Sequence, residues 1–256
     1  MTARASAPLR GLIFPALLAL AGMAVLVSLG IWQLHRLAWK EALIAQIEAR
    51  AHASPVPLPP ERDWRDLKPQ DYEYRHVALT GRFDDRAAPV FRGSDPDGGE
   101  GPGYLVLTPL ILPDGSAVIV NRGFVPDAAK GAASYSPPAG EVTVTGLMRE
   151  PEPRNLFTPA DQPGKNLWFT RDPGAIAAQL GLSRAAPFSV DADFSGDPRA
   201  LPRGGTTVIA FPNNHLGYAL TWFGLAVALA GVFGAWAWTR LRQGAAPGAL
   251  DPPRMW

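Results

Sequence analysis

The hydrophobic pattern divides the chain into segments of two kinds. Residues 11–34 and 216–239 form two runs of 24 residues without a charged side chain, GLIFPALLALAGMAVLVSLGIWQL and LGYALTWFGLAVALAGVFGAWAWT. At ~1.5 Å per residue each run spans about 36 Å, enough for the ~30 Å hydrocarbon core of a bilayer. Transmembrane helices are therefore predicted over residues 11–34 and 215–239. Gly22, Ser28 and Gly30 in the first, and Gly224, Ala228, Gly231 and Gly234 in the second, are small enough to let the two pack on each other. Trp32, Trp39, Trp236 and Trp238 stand at segment ends, where aromatic belts form.

Between the runs the period changes. His35–Arg50 continues as an amphipathic helix, with Leu37, Ile44 and Ile47 at near-helical spacing. Pro55, Pro57, Pro59 and Pro60 then impose an extended linker, so residues 35–60 read as helix plus linker. In residues 61–214 strands dominate: Glu73–Phe83, Tyr104–Leu112, Ala117–Val125, Glu141–Met148, Pro187–Asp191 and Thr206–Phe211. Pro113-Asp114-Gly115-Ser116 joins two of them as a hairpin turn. One helix is predicted over Pro173–Leu180, with Asp172 as its N-cap and Gly181 past its end. The fold class is an α+β membrane protein: two transmembrane helices flanking a mainly β domain, a small barrel or sandwich, with one short helix.

Composition and charge narrow the function classes. Charged residues make up 18% of the chain, below the ~25% of a soluble domain. The formal net charge of +1 speaks against a nucleic-acid partner, which would call for a basic surplus. The chain has no Cys, which excludes disulfides, Fe–S clusters, thiolate nucleophiles, C-x-x-C-H haem attachment and thiolate copper sites. No G-x-S-x-G, H-E-x-x-H or Walker pattern occurs, so no enzyme is expected. Asp95, Asp97 and Glu100 do not follow the spacing of a calcium loop and are expected to be a solvated turn.

Flanking cations set the expected orientation. Arg4 and Arg10 precede the first run; Arg240, Arg242 and Arg254 follow the second, against Asp251. The first apolar run is too long for a signal-peptide core, and only ten residues precede it. A bacterial inner-membrane protein is expected, with residues 1–10 and 240–256 cytoplasmic and 61–214 periplasmic.

Four histidines are present. His52 lies in the linker, and His76 reads as a satisfied surface histidine in a strand. His35 closes the first apolar run and His215 opens the second, which places both at one membrane interface. Imidazole is a usual axial ligand of haem iron, and the pair are candidate metal ligands on that ground, His215 ahead of His35.

Five phrases in order resemble the Surfeit locus protein 1 family, assembly factors for cytochrome c oxidase. They are Gly30-Ile-Trp32-Gln33-Leu-His-Arg36-Leu-Ala-Trp39-Lys40, Gly81-Arg-Phe83-Asp84, Val120-Asn121-Arg122-Gly123-Phe124-Val125-Pro126, Asn166-Leu-Trp168-Phe-Thr-Arg171-Asp172 and Asn213-Asn214-His215-Leu216-Gly217-Tyr218. The resemblance implies a haem chaperone of the respiratory chain that delivers haem a to the catalytic subunit of the oxidase, alongside the haem a biosynthetic enzymes, with His215 as the suspected iron ligand. Gly217 departs from a Gln common in the family, and Phe169-Thr170 from a more usual aromatic pair. In that setting Trp32, Tyr218 and Trp222 would wall the cofactor, and Arg36, Lys40, Arg122 and Arg171 would pair with its propionates or with the subunit. For Arg122 and Arg171 structural salt bridges or backbone bonds within the barrel are at least an equal expectation, and Gly81 and Gly123 are expected to serve backbone geometry. The alternatives are a cofactor-free scaffold for the subunit and, ranked below it, a periplasmic sensor.

Overall fold

The computed structural model describes residues 7–96, 98, 101–131, 135–194, 197, 199–207, 209 and 211–244, with side chains from residue 11 to 242. Arg4, Arg254, Asp251, Asp97, Glu100 and the side chain of Arg10 lie outside the described residues. The chain divides into two compact units, residues 1–44 with 211–256, and Ala45–Ala210.

The first unit is a helix pair. Helix α1 runs Ala7–Ala51 without a break at the end of the apolar run, and carries Pro15 inside it. Helix α4 spans His215–Gly244. Gly11–Ala51 and His215–Arg242 are long and apolar enough to cross a membrane, and most of their large apolar side chains point outward, as in Phe14, Leu18, Leu220 and Val227. The two helices pack where a side chain is missing. A Cβ on Gly30 would stand 2.5 Å from Cε1 of Phe223, and one on Gly22 would stand 3.2 Å from Leu229. On α4 the buried small residues are Ala219 and Ala226, seven apart on one face. Gly224, Gly231 and Gly234 meet nothing within 4 Å, so the predicted pairing is present but uses a different stripe of α4.

The second unit is a seven-stranded sheet in the order β1-β2-β6-β7-β5-β4-β3, with an added β2–β4 pairing. The strands are β1 (Val56–Pro57), β2 (His76–Phe83), β3 (Ala88–Arg92), β4 (Gly103–Ile111), β5 (Ala117–Pro126), β6 (Glu141–Arg149) and β7 (Ala185–Ala192). Because β2 meets both β6 and β4, strands β2, β6, β7, β5 and β4 close into a small barrel. Of the two predicted alternatives, barrel and sandwich, it is the barrel that forms. The Pro-rich linker docks on it, with Val56 paired in parallel to Val77.

Alternation along the strands fills the barrel. Val77, Leu79, Leu110, Val118, Val120, Met148, Phe188 and Val190 form the inner cluster. A second cluster, with Val90, Leu107, Ile119, Phe124 and Trp168, lies on the other face. Helix α3 (Pro173–Gln179) covers it with Ile176; Asp172 caps α3 by accepting from Ala175 N, as predicted. Gly181 past its end has φ +69°.

Two predicted elements differ, and one strand is unforeseen. The strand predicted from Glu73 begins at His76, because a short helix α2 (Pro69–Tyr72) precedes it and Tyr74 adopts φ 60°. Strand β3 was not anticipated. It carries Pro89, which a sheet tolerates at an edge, and β3 is the last strand of the order. No strand forms among the described residues of 206–211; Val208 and Ala210 are outside them. There Gly205, at φ +71°, donates to Ala192 O, and Thr207 turns its hydroxyl onto Asp191 at 2.8 Å instead of pairing along a strand.

Candidate functional site

His215 is the first residue of α4, and it is tied to α1 across 182 residues of sequence. Its Nδ1 lies 2.7 Å from Oε1 of Gln33. A carbonyl oxygen only accepts, so Nδ1 is the donor in this contact. Gln33 is only 9% exposed, and its position holds the ring in one tautomer and one orientation. Nearby, Lys40 Nζ donates to Pro212 O at 2.5 Å, fixing the chain just ahead of α4. Asn213 presents a buried Oδ1 that finds no hydrogen-bond partner among the described residues.

The other candidates fall around this contact unevenly. Trp222 is half-buried and lies seven residues beyond His215, on the same helical face. Tyr218 and Trp32 are 56% and 54% exposed, which suits side chains facing lipid or a flat apolar ligand. Arg36 is exposed and stacks its guanidinium 4.5 Å from the ring of Trp39. His35 is exposed and sits two positions from Gln33, on another face of α1. The structure thus joins His215 to Gln33, with Trp222 two turns along the same face of α4, and does not bring His35 to His215.

In the β unit the phrase residues serve the barrel. Arg171 Nη1 donates to Asp191 at 3.2 and 3.1 Å. Asp191 also receives Arg149 at 3.0 Å, Asn121 at 3.0 Å and Thr207. Burial raises the Asp191 pKa, but the two guanidiniums outweigh it and hold the carboxyl below its usual value. The structural expectation for Arg171 is therefore met. Gly123 has φ +129°, and a Cβ there would stand 2.1 Å from Arg203 O; one on Gly81 would stand 2.4 Å from Ile111 O. Both positions exclude any side chain, as expected. Asp95 is not solvated: Arg203 Nη2 donates to it at 2.6 Å, and it is 8% exposed. His76 is bonded at both ring nitrogens, to Ala53 O and Asp193, and is partly buried rather than on the surface.

The SURF1 family profile matches residues 20–227, from inside α1 to inside α4. The chain belongs to the SURF1 family. It is 36% identical to Surfeit locus protein 1 of Rattus norvegicus over 220 residues, covering 80% of this chain and 70% of the relative. Against Surfeit locus protein 1 of Homo sapiens it is 36% identical over 217 residues, 78% of this chain and 70% of the relative. A SURF1-like protein of Monosiga brevicollis is 34% identical over 248 residues, 90% of this chain and 88% of the relative.

Within this SURF1-family chain, sequence reading passed over two residues that organise their surroundings. Gln33 is the one amide in the first uncharged run, and an amide inside a membrane helix calls for a partner. Asp191 gave no such sign, because its partners come from β5, β6, the segment before α3 and Thr207 beyond β7.

Proposed function

We propose that this protein is a membrane-anchored assembly factor for cytochrome c oxidase that holds haem a and aids its insertion into the catalytic subunit. Membership of the SURF1 family, read with the two apolar helices, supports the assembly role. The His215–Gln33 contact is the observation that carries the haem reading. Histidines that ligate metals donate their second ring N–H to a fixed acceptor, and Gln33 Oε1 supplies that acceptor to Nδ1, which leaves Nε2 as the nitrogen to meet iron. Trp222 shares the face of His215, and Trp32 and Tyr218 offer exposed aromatic surface to the macrocycle. Arg36 provides a cation for a propionate. Haem a when bound would supply the oxidase's redox centre; the chain's own part is to ligate, orient and release. The proposed setting is a bacterial inner membrane, with both termini cytoplasmic and the β unit periplasmic.

The test is to co-express the full chain with the haem a biosynthetic enzymes, purify it in detergent and record the visible spectrum. Wild type should show a Soret band that His215→Ala loses. Equal haem in both would overturn the ligand assignment. A protein without a Soret band that still co-purifies with the catalytic subunit would establish the scaffold reading instead.

A further inference from the structure

The barrel is plugged at one end and open at the other. Inside it, Phe188 is met edge-on by Trp64 at 5.6 Å and at a tilt of 49° by Tyr72 at 5.4 Å. Ala192 lies four residues further along β7 on the same face, about 13 Å away at the rise of a strand. There a cavity of about 380 Å³ opens, lined by Phe83, Arg122, Val144, Phe194 and Leu201 among others. Phe83 continues the inward row of Val77 and Leu79, and Arg122 the inward row of Val118 and Val120. The mouth of the barrel thus carries a guanidinium next to the apolar inner cluster.

Among the described residues Arg122 has no anionic partner. Nη1 donates to Tyr135 O at 2.7 Å and Nη2 to Ser136 O at 3.0 Å, both neutral carbonyls. Its guanidinium stands 5.4 Å from the Phe83 ring. Burial alone acts on its titration, pushing it down to about 10. Arg149 and Arg171, by contrast, are each matched by Asp191. Asp193 also lines the cavity, but its carboxylate faces His76 at 2.8 Å. Two carbonyls occupy two of the five guanidinium donors and leave the charge uncompensated, which is costly in a partly buried site.

We propose that the open mouth of the barrel is a binding site for a small carboxylate borne on an apolar body, gripped by Arg122. The remaining N–H groups form the fork that takes a carboxylate bidentately. Phe83, Phe194 and Leu201 then cover the body. The volume falls within the ~300–1,000 Å³ of small-ligand pockets, and barrel mouths are a common place for them. The inference is independent of haem ligation at His215.

The experiment titrates para-fluorobenzoate into the detergent-solubilised full chain and follows fluorine NMR line width, with para-fluorobenzamide as the uncharged twin. The benzoate should broaden saturably and the benzamide should not. Arg122→Gln should weaken the benzoate at least roughly tenfold, the loss expected for a charge-assisted pair. Leu201→Trp, an exposed rim substitution that fills the mouth and leaves Arg122 in place, should weaken it as well, and decides the matter if Arg122→Gln does not fold. His215→Ala should bind the benzoate as wild type does, whatever its haem content. Equal binding of acid and amide, or binding undiminished in the folded variants, would overturn the proposal.

Discussion

His76 Nε2 lies 2.8 Å from Asp193 Oδ2, while Nδ1 of the same ring lies 2.7 Å from Ala53 O. A carbonyl and a carboxylate both only accept, so the geometry is that of a doubly protonated imidazolium. Burial lowers the pKa of His76, but the Ala53 carbonyl and Asp193 outweigh it and the net shift is upward. A raised folded pKa stabilises the protein fully below the unfolded value of ~6.5, and this is lost as pH rises through the folded value. Chemical denaturation of the full chain should thus show less stability at pH 9 than at pH 6 from this group. His76→Gln should flatten that dependence; an unchanged profile would show that the ring is not charged in the native state.

Asp191 is the shared partner of two guanidiniums, 4% exposed; its removal strips Arg171 of its ion pair, while Arg149 keeps Glu73 at 2.8 Å. Asp191→Ala should cost about 3–5 kcal/mol, a large share of the stability of a domain. Urea unfolding followed by tryptophan fluorescence would measure it. Replacing Arg171 as well, in Asp191→Leu/Arg171→Met, should recover part of the loss, since a matched apolar pair removes the orphaned charge. No recovery in the double variant would mean that the cost lies in packing.

The parts that were legible beforehand are those whose cause is local. Asp172 caps α3 because its side chain reaches a backbone N–H three residues on, and the Pro113–Ser116 turn joins β4 to β5 because its residues suit the bend. The parts that were hidden depend on tertiary context. Strand β3 exists because Pro89 faces a sheet edge, and an edge is invisible until the strand order is known. The run Thr206–Phe211 has the β-branched composition of a strand, but Thr207 is claimed by a buried carboxylate. In the site, His215 stood out at the border of an uncharged run, whereas Gln33 acquires its role only when the fold brings it to a residue 182 positions away.

The helix pair has a steric test at Gly30. A Cβ there would meet the Phe223 ring at 2.5 to 2.9 Å, closer than any relaxed contact. Gly30→Val should therefore destabilise the packed pair by about 1–3 kcal/mol, the usual cost of overpacking. Thermal melts in detergent should show Gly30→Ala affected less than Gly30→Val. The double variant Gly30→Ala/Phe223→Leu should lie nearer wild type than Gly30→Ala alone. If Phe223→Leu brings no relief, α4 shifts rather than clashes.

Gln33 offers the finest test of the proposed haem ligand. Gln33→Leu keeps the volume and removes the acceptor, so the Nδ1–H of His215 loses its partner and the ring is free to change tautomer and turn. Loss of such a supporting bond lowers metal affinity by about 10–100-fold. Haem retained by Gln33→Leu after co-expression should fall accordingly, while His215→Ala retains none. Gln33→Glu, a stronger acceptor for the same N–H, should hold haem at least as well as wild type. The informative contrast is between Leu and Glu at this position, because the two alter hydrogen bonding in opposite senses at similar size. Equal haem in both, with His215→Ala still empty, would leave His215 as the ligand and remove Gln33 from its support.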